Sequence, residues 1–259
     1  MSITVDPEWW KSTFDEIYLI TDARSVCDDE ITRREIDLVC ELLPMNHRDR
    51  ILDLCGGHGR HSMELYRRGF TRCTLFDYSK PLIERARKEA ARCSYDIECI
   101  RGDARSIGLL SETFDHVLIM GNSLGYIPEH AADAQILAEA MRILCPGGWL
   151  LIDVADGAAV KDSFHPRSWH EIGADVVVCR ERKLEGNIVS TREIVLSKEK
   201  GMIRNSSYSL HLYDPQTLSQ LVNRTGFGKV KVHTGFFPHQ RTGDYGFMNH
   251  RMLATGQKP

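Results

Sequence analysis

A short apolar run that leads directly into glycines is the feature that most constrains this fold. Residues 51–59 read ILDLCGGHG, and helical periodicity follows over residues 60–68 until Gly69. A glycine turn between a buried strand and a helix lets the backbone approach a ligand closely, and the start of the helix presents free amide donors. The pattern therefore predicts a ligand site at the carboxyl end of this strand.

The central part of the chain alternates between strand and helix patterns. Strands are predicted over residues 50–54, 71–76, 96–101, 114–120 and 149–154, and helices over residues 60–68, 80–92 and 131–144. Strands that alternate with helices indicate an α/β fold, in which helices cover both faces of a parallel sheet.

Both ends of the chain depart from this alternation. Two helices are predicted before the first strand, over residues 8–19 and 29–43. After residue 155 the sequence predicts β-rich segments at 175–181, 187–196 and 203–212, a helix at 215–225, strands at 228–234 and 249–255, and an aromatic- and glycine-rich loop at 235–247. The β-rich segments indicate an antiparallel meander inserted into the α/β core at about residues 160–212.

Carboxylates follow the first three predicted strands. Asp53 lies at the tip of the first strand, where it would help to neutralise a cationic amine. Asp77 ends the second strand, 20 residues after Gly57, where a carboxylate can accept hydrogen bonds from both hydroxyls of a ribose. Asp103 follows the third strand, in a position to meet an adenine ring. Together they predict a nucleoside ligand.

A nicotinamide dinucleotide unit also uses glycines and an acidic residue at a strand end. That unit requires the spacing G-x-G-x-x-G, but Ser62 stands at the third glycine position and no second mononucleotide half follows. A purely structural tight turn would explain the glycines, but it would leave Asp77 and Asp103 unexplained.

These elements resemble the class I S-adenosylmethionine-dependent methyltransferases over about residues 50–155. The matching segments are the glycine loop (with Cys55 where a glycine is usual), Asp77-Tyr78, Gly102-Asp103-Ala104, residues 114–123 and the Leu144–Gly148 turn. The resemblance implies a Rossmann-like, seven-stranded, mostly parallel, doubly wound sheet whose last strand is antiparallel. It also implies S-adenosylmethionine as cofactor and S-adenosylhomocysteine as product. The implied cofactor-binding residues are Asp53, Gly56, Gly57, Gly59, Asp77, Tyr78, Asp103 and Ala104.

Two segments resemble glycine and amino-sugar N-methyltransferases in particular. Residues 14–25 are similar to the N-terminal lid of those enzymes, which implies that Arg24 binds the methionine carboxylate and that Tyr18 contacts the cofactor. A solvated arginine between two helices is the alternative. Residues 120–126 are similar to the Gly-Asn-Ser segment of the glycine enzymes, which implies a cofactor contact by Asn122 and a position for Tyr126 beside the reacting groups.

Catalytic roles are assigned to Tyr126 and Tyr18. Tyr126 stands where the amino-sugar enzymes carry a histidine, so a histidine base cannot be transferred to this chain; its phenol would hydrogen-bond the acceptor or the sulfonium end of the cofactor. Trp9, Trp10, Phe14 and Tyr18 could form an aromatic cage for a cation, or simply one apolar helix face. Tyr126, Arg192 and His211 are the expected substrate-binding residues. Arg192 and His211 lie in the meander, where Arg180 is a further candidate.

Composition narrows the partners. A formal net charge of −3 without a basic run argues against nucleic acid, and no apolar run approaches the roughly 18 residues of a membrane span. Eight cysteines without a CxxC pair are expected to be free thiols in a cytoplasmic protein. Cys55, His58 and His61 have metal-like spacing, but they occupy the loop that the cofactor needs, so no metal is predicted.

The sequence thus predicts an N-terminal helical lid at residues 1–48 and a methyltransferase domain at residues 49–259. The expected reaction is methyl transfer to a small-molecule acceptor, with an amine as the first choice. An O- or C-methyltransferase of a small metabolite is one alternative, and a non-catalytic S-adenosylmethionine-binding module is another. A monomer or homodimer is expected.

Overall fold

A computed structural model describes residues 3–129, 131–239 and 246–259. Its main sheet has seven strands in the order β10-β11-β5-β4-β1-β2-β3. The strands are β1 (Ile51–Leu54), β2 (Cys73–Asp77), β3 (Glu98–Arg101), β4 (Phe114–Ile119), β5 (Leu144–Ala155), β10 (Gly228–Phe236) and β11 (Arg251–Gln257). Neighbouring strands are parallel except at β11, which is antiparallel to both β5 and β10. The predicted fold class is confirmed.

Helices cover both faces of this sheet. They are α4 (Asp29–Leu42), α5 (Arg60–Arg67), α6 (Lys80–Cys93), α7 (Ala132–Ile143) and α9 (Pro215–Arg224). The short helix α8 (Gly157–Asp162) follows β5 and packs through Val160 with Val189 and Leu210. The apolar sides of α4 and α5 pack on β1, β4, β5 and β11, whereas α7 and α9 fill the opposite face. Although α4 lies within the segment predicted as a lid, its Ile36 and Val39 are fully buried in the core of the sheet.

The N-terminal segment differs from the prediction of one helix over residues 8–19. It forms α1 (Trp10–Thr13), α2 (Glu16–Thr21) and α3 (Ala23–Val26). The break occurs because Phe14 leaves the helical conformation and Asp15 caps a new helix, accepting from the amides of Ile17 and Tyr18. These three short helices lie over the carboxyl ends of the central strands, where their aromatic rings contact Tyr78 and Tyr126.

A second, antiparallel sheet follows β5, as predicted, but it has four strands rather than three. They are β6 (Arg167–Ile172), β7 (Val176–Glu185), β8 (Ile188–Ser197) and β9 (Gly201–His211), paired in chain order. Burial alternates along β7, where Val178, Arg180 and Arg182 face inwards. The inward face of this sheet is turned towards the N-terminal helices, because Arg180 pairs with Asp22 at 3.0 Å.

Two predicted loops also differ in detail. Pro146–Gly148 lies inside β5 rather than in a turn before it, and the pairing register with β4 shifts between Phe114 and His116, which marks a bulge. Of the predicted loop at 235–247, residues 240–245 lie outside the described residues, and a 3-10 helix covers Gly246–Asn249. None of the helices in the described ranges combines the length and hydropathy that a bilayer span requires.

Candidate active site

The glycine loop after β1 is held close to the second strand. The Gly57 amide donates to the Asp77 carboxylate at 2.8 Å, and the Ser79 amide donates to its other oxygen at 2.7 Å. A Cβ on Gly56 would lie 2.4 Å from Leu75 and 2.5 Å from Asp53, so only glycine fits there. Gly57 has a φ of +59°, and Cys55 adopts a φ of +60° where related loops carry glycine. The loop therefore presents a bare backbone beside the Asp77 carboxylate.

A cavity lies above this loop, and we call it the first cavity. The main sheet contributes the glycine loop, Asp77, Asp103 and Gly121, while α1–α3 contribute Trp10, Phe14, Tyr18 and Val26. Burial raises the pKa of Asp77 to about 6, even though backbone amides stabilise its ionised form. The predicted residues Gly56, Gly57, Tyr78, Ala104, Tyr18 and Tyr126 also line this cavity.

One end of the first cavity is closed by Asp103 and Trp10. Arg105 binds the Asp103 carboxylate through its backbone amide and its guanidinium, and this pairing lowers the pKa of that carboxyl. The Arg105 guanidinium also lies 5.2 Å from the centre of the Trp10 ring, which in turn packs edge-on against Tyr78. Asp103 is therefore fixed in place at the end of the cavity nearest β3.

The opposite end of the first cavity contains Arg60, the first residue of α5. Its guanidinium donates to Thr32 at 2.9 Å and forms an ion pair with Glu35, and the Arg60 side chain is only 9% exposed. His58 lines the same end, and burial lowers its pKa to about 3, so this imidazole is neutral at ordinary pH. Among the described residues that line the first cavity, Arg60 is the only arginine or lysine.

A second cavity adjoins the first. The two share Tyr18, Val26, Gly121 and Tyr126, and the second is completed by Asp22 and by residues of the antiparallel sheet. The sheet residues are Arg180, Arg182, Tyr208 and Leu210. Arg180 joins the two sides, because its guanidinium binds Asp22 at 3.0 Å and Glu193 at 2.8 Å.

Tyr126 lies at the junction of the two cavities. Its ring contacts Trp9 and Phe14 edge-on, with ring centres 5.5 and 5.4 Å apart, and its hydroxyl accepts from the Asn122 amide at 3.3 Å. Burial raises the pKa of both Tyr126 and Tyr18 well above the usual value for a phenol. Both phenols are therefore protonated at neutral pH and act as hydrogen-bonding groups rather than bases.

Comparison with known proteins indicates the family to which the segment around the first cavity is similar. Residues 51–148 match the model of the methyltransferase domain family. Residues 51–148 are therefore assigned to a methyltransferase domain. The predicted recognition is confirmed, and S-adenosylmethionine is the cofactor of this family.

Individual relatives differ in how much of the chain they match. The ubiquinone/menaquinone biosynthesis C-methyltransferase of a Ruegeria species is 32% identical over 45% of this chain and 46% of that protein. The glycine/sarcosine N-methyltransferase of Halorhodospira halochloris is 23% identical over 86% of this chain and 81% of its own. An S-adenosylmethionine-dependent methyltransferase from Clostridium acetobutylicum superposes with a TM-score of 0.74 at 14% identity, over 93% of this chain and 96% of its own. The chain spans about half the length of the first curated relatives it matches.

The first cavity of the methyltransferase domain suits this cofactor chemically. Gly56 and Gly57 leave room for a ligand against the backbone, and the Asp77 carboxylate is an acceptor for paired hydroxyls. Arg60 supplies a buried cation at the far end.

Several predicted cofactor residues lie behind the cavity wall instead. Asp53 is fully buried beneath Gly56 and accepts from the amide and hydroxyl of Ser62. Gly59 caps α5 with a φ of +80° and packs near Leu75. Asp53 and Gly59 therefore stabilise the glycine loop from the side that faces the protein core, and they do not line the first cavity.

Asn122 and Arg24 are also displaced from their expected positions. The Asn122 amide binds the Ala155 amide and Tyr126, and the residue lines the second cavity rather than the first. Arg24 lines neither of these cavities and lies near His239, whose pKa falls to about 4 through burial and nearby cations including Arg24.

The meander residues chosen from the sequence face away from both cavities. Arg192 lies on the outer face of the antiparallel sheet and donates to Asn205, because strand alternation turns it opposite to Glu193. His211 stacks on Tyr213 at 4.6 Å and donates its backbone amide to Gly125. Arg180 and Arg182, whose side chains point inwards, line the second cavity where Arg192 and His211 were expected.

The metal-like spacing at Cys55, His58 and His61 has a structural explanation. The His61 ring binds Glu35 at 2.9 Å, and burial raises the pKa of the Cys55 thiol well above its usual value. Across the described ranges, no group of three or more histidine, cysteine, aspartate or glutamate side chains could hold a metal ion.

Sequence reasoning missed Arg60, Arg182 and Tyr208. Arg60 could have been noticed, because it follows the glycine loop directly and is the first residue of the helix after it. The other two could not, since their position depends on which face of β7 and β9 is turned to the N-terminal helices.

Proposed function

We propose that this protein transfers a methyl group from S-adenosylmethionine to a small-molecule acceptor, with an amine as the favoured nucleophile. One observation carries the proposal: the first cavity, whose lining suits the cofactor, adjoins a second cavity and shares Tyr18, Gly121 and Tyr126 with it. A donor in one cavity and an acceptor in the other would meet at that junction.

The lining of the first cavity supports an assignment of its residues. Asp77 would accept the ribose hydroxyls, and the bare backbone at Gly56 and Gly57 would lie against the ligand. Asp103, Ala104 and their neighbours would form the adenine end. Tyr18 would lie over the centre of the ligand.

Enclosure of the second cavity favours a small acceptor. Its walls come largely from the N-terminal helices and the antiparallel sheet, and the Asp22–Arg180 and Asp15–Arg204 ion pairs join these two parts of the chain. A cavity closed in this way excludes water and positions two reactants, and such positioning can contribute about 7–11 kcal/mol to catalysis. A macromolecular acceptor would have to displace these contacts.

The polar groups at the junction favour an amine. S-adenosylmethionine supplies an electrophilic methyl group, so a neutral amine would need no base before the reaction. The amine lone pair would form the new N–C bond as the S–CH3 bond breaks, S-adenosylhomocysteine would leave as a neutral thioether, and the extra proton on nitrogen would pass to water afterwards. Tyr126 and Tyr18 stay protonated, and the Asp22 carboxylate is already bound by Arg180 and Thr21. These groups orient an acceptor better than they deprotonate one.

Two other functions are alternatives to methyl transfer to an amine. The similarity to a quinone-biosynthesis C-methyltransferase favours a carbon acceptor as the second candidate, with an oxygen acceptor in the same class. A binding module without activity would retain the first cavity and lack turnover.

Methyl transfer from isotopically labelled cofactor into a cell extract tests the proposal. The label should enter the low-mass fraction and yield an N-methyl product by mass spectrometry. Asp77→Asn, assayed at a cofactor concentration near the Kd of the natural chain, is the matched variant and should incorporate much less label. Label found only in RNA or protein would overturn the small-molecule proposal. An ether, an ester or a new C–C bond would overturn the amine alone.

A further inference from the structure

We infer that Arg60, rather than Arg24, binds the carboxylate of the methionine arm of S-adenosylmethionine. The inference rests on the proposed function only in that the methyl donor occupies the first cavity. It assigns the site's cationic anchor to a residue that begins α5, directly after the glycine loop.

One terminal nitrogen of the Arg60 guanidinium is hydrogen-bonded, and the other is available to a ligand. Its Nη1 donates to Thr32 at 2.9 Å and pairs with Glu35, whereas its Nη2 is buried without a hydrogen-bond partner among the described residues. A Cβ placed on Gly121 would be 3.7 Å from this Nη2. Because Gly121 lines the first cavity, the available nitrogen lies at the cavity wall.

A carboxylate is the group that this nitrogen lacks. Leaving a guanidinium N–H buried and unsatisfied is unfavourable, and a charged acceptor gives the strongest hydrogen bond available to it. Gly121 has no side chain to fill the space beside it. A bound carboxylate would therefore complete an incomplete set of bonds.

A buried charge network holds Arg60 in this orientation. Glu35 also binds His61 at 2.9 Å and lies 3.8 Å from Arg251, which pairs with Asp153. Glu35, Arg251 and Asp153 are fully buried. The network links α4, α5, β5 and β11, so the position of the Arg60 fork is fixed by the core of the sheet.

The position of Arg24 is less suitable. It belongs to the four-residue helix α3, lines neither the first nor the second cavity, and contributes to the field at His239 instead. Of the described residues around the first cavity, Arg60 alone supplies a permanent positive charge.

Calorimetry with two ligands tests the inference without any need for turnover. S-adenosylmethionine carries the carboxylate, and decarboxylated S-adenosylmethionine lacks only that group. Arg60→Lys keeps the charge beside Glu35 but removes the second fork nitrogen. It should weaken binding of S-adenosylmethionine by about 10- to 100-fold and leave the decarboxylated ligand nearly unchanged.

Arg24→Lys is the matched control and should bind both ligands like the natural chain. Equal losses for the two ligands in Arg60→Lys, or a selective loss in Arg24→Lys, would overturn the inference. A natural chain that bound neither ligand would instead overturn the proposed function.

A second measurement uses the natural chain and covers the case in which Arg60→Lys does not fold. Phenylglyoxal modification is mapped by mass spectrometry with 5′-methylthioadenosine or S-adenosylhomocysteine bound. Arg60 should be protected more strongly by S-adenosylhomocysteine, which has the carboxylate. Equal protection by the two ligands would contradict the inference.

Discussion

At the residue scale, the buried carboxylate of Asp77 should make ligand affinity depend on pH. Its folded pKa of about 6 is raised by burial above the ordinary value, and its ionised form is the one that accepts hydroxyl donors. We therefore expect the affinity for S-adenosylhomocysteine to be constant above pH 7 and to fall as the pH drops below about 6, where protonation competes with binding. Calorimetry across this range measures the effect.

The Asp77→Asn variant provides the control for this pH dependence. It should bind about 10- to 100-fold more weakly at pH 7.5, and its affinity should not change between pH 5 and 7. The same pH dependence in Asp77→Asn as in the natural chain would assign the titration to another group.

Tyr126 supports a second prediction at the residue scale. Tyr126→Phe keeps the ring contacts with Trp9 and Phe14 but removes the hydroxyl that Asn122 orients. Binding of S-adenosylhomocysteine should be unchanged, while methyl transfer into the low-mass fraction should slow by about 3- to 10-fold. Tyr66→Phe, a phenol stacked on Tyr95 away from both cavities, is the control and should retain the full rate. An unaltered rate in Tyr126→Phe would show that the Tyr126 hydroxyl takes no part in the reaction.

At the scale of elements, the sequence predicted the α/β core well because its signals are local. The strand before the glycines and the Gly69 stop after α5 each depend on neighbours in the chain, and both appear in the structure. The same locality identified Gly56, Gly57 and Asp77.

Elements whose form depends on tertiary contacts were predicted less well. The helix expected over residues 8–19 breaks at Phe14, whose backbone carbonyl accepts from Ser79 at 2.5 Å. Arg192 was selected and Arg182 was missed because a strand pattern gives alternation but not the identity of the inward face. Arg24 was selected and Arg60 was missed because only the fold shows which arginine lines the first cavity.

The antiparallel sheet allows a prediction about stability. Arg180 is buried between Glu193 and Asp22, so Arg180→Met would leave a buried carboxylate without its partner. We expect a loss of about 3–5 kcal/mol in the free energy of unfolding, measured by urea denaturation. Arg192→Met, on the exposed face of the same sheet, should change it by no more than about 0.5 kcal/mol. Similar values for the two variants would show that the buried ion pairs do not hold this face in place.

At the scale of the whole molecule, two separate parts of the chain enclose the site. The N-terminal helices reach the main sheet through Phe14 and Ser79, and they reach the antiparallel sheet through the Asp15–Arg204 and Asp22–Arg180 ion pairs. Helices of four to six residues are not stable alone, so α1–α3 depend on these contacts and on what fills the cavities. We therefore expect reactants to enter and leave by local opening of this segment rather than by unfolding of the sheet.

Hydrogen exchange tests this coupling between ligand and N-terminal helices. If opening of residues 10–26 releases the ligand, S-adenosylhomocysteine at 100 times its Kd should slow exchange of their amides by up to about 100-fold, since ligand binding stabilises the closed form by about 2.7 kcal/mol. Helix α9 lines neither cavity, so exchange of its amides should not respond. The protection should also persist in Tyr126→Phe, which keeps the aromatic contacts of the closed form. Equal exchange at residues 10–26 with and without ligand would mean that these helices are a fixed wall, and that the acceptor reaches the second cavity by another route.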